Sequence, residues 1–272
     1  MVGSIKNKLI ELGIRPSKKM GQNFLSDVNI AEKQVKAADL DENDTVLEIG
    51  PGIGTLTEEI VERVGEAILV EKDEVLYGYL EGRYGSDDVE IIQADILDVE
   101  LSDLPPFNKI VSNIPFNISS PLTFKLLEYD FDCAILMYQK EYAERLVAKM
   151  GEENYSRLSV MVSTKAKVQR LFTVPRHCFY PPPNVDAEVV ELIPTEPDFD
   201  LHYPEAFSAV VRELFNYRRK MIKNALKNGF DIEIKDCPFQ KYRVENLSPE
   251  EICRIVDYLV EEGLIDEKPD LV

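Results

Sequence analysis

The tetrapeptide Asn113-Ile114-Pro115-Phe116 joins an amide side chain, a proline-stiffened backbone and an aromatic ring. Proline biases the residue before it toward extended backbone, so the Ile114 carbonyl and the Asn113 carboxamide oxygen can serve as neighbouring acceptors. Such a cradle suits a planar ring with an exocyclic amine, adenine first among them. The lone pair of that amine is delocalised into the ring, which makes it a poor nucleophile. Acceptors aimed at its two hydrogens draw the nitrogen toward tetrahedral geometry and localise the pair. Phe116 can stack on a base turned out of its helix, a contact worth roughly 1–3 kcal/mol. Phe179, ahead of the stiff run Pro181-Pro182-Pro183, offers a second aromatic wall. No strong general base is needed, because the nitrogen loses its proton readily once methylated. His177 and His202 are accordingly read as structural.

A methyl donor needs its own pocket. Glu48-Ile49-Gly50-Pro51-Gly52-Ile53-Gly54 follows an apolar run and precedes an amphipathic one. Glycines at such a turn permit a tight bend and close approach of backbone to ligand. The turn alone fits a nicotinamide or nucleotide cofactor equally well. Glu71 ends the next apolar run, where an acid can accept from both ribose hydroxyls, and Asp95 follows the third, where it can accept from an adenine amine. No Gly-x-x-x-x-Gly-Lys motif is present, which argues against a nucleoside triphosphate. S-adenosylmethionine fits best, and in-line positioning of its methyl is the main catalytic requirement.

The elements that must position these residues alternate as in an α/β domain. Strands are expected over 45–49, 67–71, 89–93, 109–112 and 133–138, apolar enough for burial on both faces as in a parallel sheet. Helices are expected over 55–64, 73–84, 121–128 and 141–149. A helix over 158–165 and strands over 168–173 and 185–192 follow, the last two as a late hairpin on the sheet edge. Pro194-Thr195-Glu196-Pro197-Asp198 reads as a linker. Helical periodicity returns over 204–214, 219–227 and 249–262. The division expected is a catalytic domain over 1–196 and a small helical domain over 197–272.

The 272 residues carry a net charge of −19, which at first disfavours nucleic acid. Its distribution reverses that. Residues 39–104 hold twenty acids and three bases, whereas 211–227 hold six bases against Glu213 alone and 139–176 hold eight bases against four glutamates. Phosphates are neutralised where they touch, and distant charge is screened within about 10 Å. Arg218, Arg219, Lys220 and Lys223 are the expected RNA contacts. The four cysteines are spread out with no Cys-x-x-Cys pair, which points to free thiols in a reducing cytoplasm without metal or disulfide. No apolar run reaches membrane-span length, and Met1–Lys6 shows no signal-peptide core.

These motifs closely resemble the KsgA family of ribosomal RNA adenine dimethyltransferases. The likeness covers Lys19–Leu25, Glu48–Thr57, Asn113–Pro121, Phe179–Asp186 and Phe215–Met221, in that order. It implies a Rossmann-like class I methyltransferase sheet with a small C-terminal all-helical domain. It also implies dimethylation of N6 on two adjacent adenosines near the 3′ end of small-subunit ribosomal RNA, inside a pre-ribosomal particle. Cofactor contacts are implied from Gln22, Asn23, Leu25, Gly50, Gly52, Glu71, Asp95 and Asn113, and base contacts from Asn113, Ile114, Phe116 and Phe179. The free protein is expected to be monomeric. Two positions depart from the pattern: Phe116 stands where tyrosine is common, and Ala187 where many members have serine. The alternatives are a relative acting on large-subunit ribosomal RNA, DNA adenine or protein glutamine, and a non-catalytic assembly or transcription factor on the same fold.

Overall fold

The computed structural model describes residues 2–17, 21–234 and 236–269, so Lys19 and Met20 of the expected N-terminal signature lie outside it. Helix α1 (Val2–Glu11) leads to the two-residue strand β1 (Phe24–Leu25) and to α2 (Val28–Ala37). The Asp27 side chain caps α2 by accepting the Asn29 amide. The sequence reading has no counterpart for these three elements.

Then come β2 (Thr45–Ile49), α3 (Thr57–Val61), β3 (Glu66–Glu71), α4 (Glu74–Tyr84), β4 (Val89–Gln93), β5 (Lys109–Asn113), α5 (Ser119–Leu126), β6 (Cys133–Gln139) and α6 (Lys140–Val147). The five strands fall within one residue of the expected ones at both ends. All are parallel neighbours, β2 lying between β3 and β5. Val46, Leu47, Ile68, Leu69, Ile110, Val111, Ala134 and Ile135 are buried, as the apolar runs require of a sheet covered on both faces.

The chain continues through α7 (Arg157–Ser163), β7 (Ala166–Val174), β8 (Phe179–Tyr180), β9 (Ala187–Pro194), α8 (Pro204–Asn216), α9 (Ile222–Phe230) and α10 (Pro249–Glu261). The sheet order is β4-β3-β2-β5-β6-β9-β7, with β9 antiparallel to β6. The expected edge hairpin is therefore present, although β9 rather than β7 contacts the parallel strands. A separate pairing, antiparallel between β1 and β8, joins Leu25 to Phe179 across more than 150 residues.

Two compact units result: Met1–Ala143 with Val168–Pro194, and Glu144–Lys167 with Thr195–Val272. The second break falls within the expected linker. Segment 144–167, assigned to the first domain from sequence, clusters with the helices instead. Tyr155 explains this: it is buried beside Phe207, Leu214 and Ile255, and its hydroxyl donates to the Leu247 carbonyl at 2.8 Å. In α10, Ile252, Ile255, Val256 and Leu259 make one buried stripe, opened by Pro249 and a Ser248–Glu251 capping box.

The helix expected over 219–227 begins only at Ile222. Met221 is extended, and the Ile222 and Val244 amides donate to the carbonyls of Tyr242 (2.9 Å) and Lys220 (3.1 Å). A short antiparallel bridge, Met221 to Arg243, thus replaces the first helical turn.

Candidate active site

The glycine turn is held by the strand beside it. Gly50 donates its amide to the Val70 carbonyl at 2.9 Å, and Gly52 donates to Glu71 Oε2 at 3.0 Å. Gly50 and Gly52 both have positive φ, +67° and +62°. A methyl group on Gly52 would also lie 3.0 Å from the Phe24 ring, so a side chain there must both displace that ring and take up a strained backbone. Glu71 is buried; its Oε1 accepts the Asp73 amide at 2.9 Å. Desolvation raises its pKa despite those bonds. The Lys72 amide also faces this carboxylate, whose two oxygens still have acceptor capacity for a further donor.

Asp95 lies past the end of β4. Lys72 pairs with it and holds its carboxyl below the usual carboxylate range, while Leu97 donates its amide to Oδ1 at 3.0 Å. On the neighbouring strand, Asn113 ends β5, and its Oδ1 is buried with no hydrogen-bond partner among the described residues. Such orphaned acceptors are rare in folded proteins and mark a place where a donor belongs. The Ile114 amide donates to the Met137 carbonyl at 3.1 Å, and Pro115 carries the chain into a 3-10 turn over Phe116–Ile118. Ser119 Oγ donates to the Phe116 carbonyl at 3.1 Å and fixes that turn against α5.

These residues share one cavity of about 590 Å³. Gln22, Asn23, Leu25, Gly50, Gly52, Glu71, Asp95, Asn113, Ile114, Phe116 and Phe179 all line it. It opens at the carboxyl ends of β2, β3, β4 and β5, where the strand order reverses, the usual ligand position in open α/β sheets. Its volume lies within the roughly 300–1,000 Å³ of small-molecule sites. The β1–β8 pairing brings in Leu25 and Phe179 together. Acids at two strand ends, free backbone approach at Gly50 and Gly52, and an unpaired acceptor at Asn113 suit a nucleoside with a second, amine-bearing ring.

Sequence reasoning gives no role to two charged residues of the lining. Glu48 is buried and accepts from Thr57 Oγ1 at 2.7 Å; burial, with Glu71 nearby, pushes its pKa up to about 8. Its signal was an acid near the end of an otherwise apolar strand. Lys72 is the other, placed by following Glu71 directly. In the helical unit the four expected RNA contacts divide. Arg218 donates to the Glu152 carbonyl at 3.0 Å and sits 3.3 Å from Glu245, whereas Arg219, Lys220 and Lys223 are exposed and make no salt bridge among the described residues. Among the described residues, no helix is long and apolar enough to cross a membrane.

Comparison with known proteins agrees with this geometry. Residues 14–261 match the family described as ribosomal RNA adenine dimethylase. The probable ribosomal RNA small subunit methyltransferase A of Thermococcus gammatolerans is 43% identical over 272 residues, covering 96% of each chain. Its namesake in Methanopyrus kandleri is 48% identical over 219 residues, covering 79% of this chain and 77% of that one. Among solved structures, a dimethyladenosine transferase from Plasmodium falciparum superposes with a TM-score of 0.77 at 29% identity, covering 88% of this chain and 98% of that one. The 23S rRNA methyltransferase ErmE gives 0.62 at 26% identity, covering 87% and 99%. The chain belongs to the ribosomal RNA adenine dimethylase family, and is an S-adenosylmethionine-dependent methyltransferase with the α/β fold of class I.

Proposed function

We propose that the protein dimethylates N6 of two adjacent adenosines near the 3′ end of small-subunit ribosomal RNA. The substrate is a pre-ribosomal particle in the cytoplasm, and the free enzyme is a monomer. The observation that carries this reading is the buried, unpartnered Oδ1 of Asn113 at the cavity wall.

S-adenosylmethionine, when bound, supplies an electrophilic methyl group. Glu71 would hold the ribose hydroxyls and Asp95 the adenine amine of that cofactor, with Gln22, Asn23, Leu25, Gly50 and Gly52 completing its walls. Asn113 accepts from the target amine and, with the Ile114 carbonyl, localises its lone pair for attack. Phe116 and Phe179 hold the extruded base between two aromatic surfaces, and Phe116 does so without a hydroxyl. The apolar lining from Leu25, Ile114, Met137 and Phe179 excludes water and strengthens these polar contacts. Because the first product still carries one amine hydrogen, the same acceptors can present it for a second transfer.

Relatives above 40% identity carry a small-subunit name, while the 23S enzyme resembles the chain at 26%. That favours the small subunit. Labelled methyl transfer to undermethylated small subunits, large subunits, duplex DNA and release factor tests the choice. Incorporation confined to the small subunit is expected; preference for any other acceptor would overturn it.

A further inference from the structure

The short bridge before α9 gathers a surface that the proposed chemistry does not use. Residues 218–223 and 239–244 contain Arg218, Arg219, Lys220, Lys223, Lys241 and Arg243 and no acid, in a chain whose net charge is −19. Backbone pairing lays the two segments side by side: Met221 bridges Arg243, and the Lys223 amide donates to the Gln240 carbonyl at 3.2 Å. Tyr242 lies between Lys241 and Arg243 in the chain and is 57% exposed, and Met221 is 37% exposed. Lys220, Lys223 and Lys241 make no salt bridge among the described residues, and Arg243 has only a 3.8 Å contact to Glu245.

The local backbone is shaped to keep that ring in place. Phe239 adopts φ +55°, a left-handed conformation that a bulky side chain rarely takes. The Tyr242 amide donates to its carbonyl at 2.8 Å, closing the turn. Its ring then meets Tyr242 edge to face, with centroids 6.1 Å apart and planes at 76°. Strain of this kind persists where the surroundings enforce it, and it clusters at binding sites. With that one ring contact and 57% of its surface exposed, Tyr242 keeps aromatic surface available to a ligand. Cations around it would neutralise the phosphates on either side of a stacked base.

We propose that Tyr242, framed by Lys220, Lys223, Lys241 and Arg243, is a stacking platform for an unpaired RNA base and its flanking phosphates. The proposal rests on RNA being the substrate and names a base other than the one that reacts. Stacking on an aromatic ring tolerates any base, so the platform adds affinity and anchoring rather than sequence choice. Each cation makes the affinity more sensitive to salt.

The chain contains no tryptophan, so Tyr242→Trp in the full protein creates a single indole reporter. Titration with protein-free small-subunit ribosomal RNA is expected to quench that indole, both alone and combined with Asn113→Ala. Tyr242→Ala is expected to weaken RNA binding roughly tenfold, while Tyr242→Phe stays within about twofold of wild type. S-adenosylmethionine affinity and melting temperature should not move. Binding of RNA without quenching, or with Tyr242→Ala as tight as wild type, overturns the platform. So does a loss of affinity for intact small subunits with none for protein-free RNA, which would make the patch a protein contact. If the indole is quenched but wild type methylates no ribosomal RNA, the substrate reading falls and the platform stands.

Discussion

Gly52 donates its amide to Glu71 Oε2 at 3.0 Å, so the glycine turn and the acid at the next strand end are one hydrogen-bonded unit. The same carboxylate holds the Asp73 amide at 2.9 Å and thereby the start of α4. A side chain that must face a cofactor is thus fixed by backbone on both sides. Its orientation costs nothing further when ligand arrives.

Glu71→Ala removes two backbone contacts along with the proposed ribose acceptor. S-adenosylmethionine affinity is expected to fall on the order of 100-fold by calorimetric titration, since hydrogen bonds to a charged group are the stronger class. A change below about threefold would show that the carboxylate serves the loop rather than the ligand.

Gly52→Ala places a methyl group against the Phe24 ring at a φ of +62°. The left-handed conformation alone costs about 1–2 kcal/mol for an alanine. A lower melting temperature and weaker cofactor binding are expected together, because the same turn supports both. Cofactor affinity equal to wild type would contradict the close approach assigned to this glycine.

Glu48 gives the fold a particular pH dependence. Its folded pKa is raised to about 8 by burial, above the ordinary carboxylate value. The folded protein therefore holds a proton that the unfolded chain releases, and the resulting stability is full below the unfolded pKa and is lost as pH rises toward 8. Glu48→Gln keeps an acceptor for Thr57 but cannot ionise. Its melting temperature is expected to gain on wild type progressively between about pH 5 and pH 8, by up to a few kcal/mol in stability. Parallel curves across that range would contradict the buried neutral acid.

The basic residues near α9 should separate into two behaviours. Arg218 is tied to the Glu152 carbonyl and Glu245, so Arg218→Ala is expected to lower stability by about 1–2 kcal/mol. Lys220→Glu and Lys223→Glu alter exposed cations and should leave the melting temperature alone. They should instead weaken RNA binding and flatten its salt dependence by roughly one unit of slope for each cation lost. RNA affinity and salt slope equal to wild type in both lysine variants would contradict a phosphate-contacting surface.

The cavity was legible in the sequence because its acids and glycines sit at strand ends. Glu71, Asp95 and Asn113 each end or follow an apolar run, and a parallel sheet aligns those ends. The 3.6 and 2.0 periodicities say nothing about partners far apart in sequence. The pairing of Leu25 with Phe179 needs only two residues from each side, too few to show a period. Helix α2 buries just Ala31, Gln34 and Val35, a narrow stripe that includes a polar residue. Tyr155 reads as one aromatic in a polar loop until its bond to Leu247 places it in the helical core. Arg218 and Lys220 look equivalent in a basic run, and only the Glu152 carbonyl and Glu245 tell them apart.

The chemistry itself turns on Asn113. Small subunits lacking the modification, incubated with S-adenosylmethionine and either wild type or Asn113→Ala, can be read by mass spectrometry of their ribosomal RNA. The predicted result is dimethylated adenosine at two neighbouring positions with wild type. For the variant, initial rates should be roughly 10²–10³-fold lower, with cofactor affinity changed by less than about tenfold. Undiminished transfer by Asn113→Ala, or methyl groups placed on any atom other than adenine N6, would contradict the role given to its carboxamide oxygen.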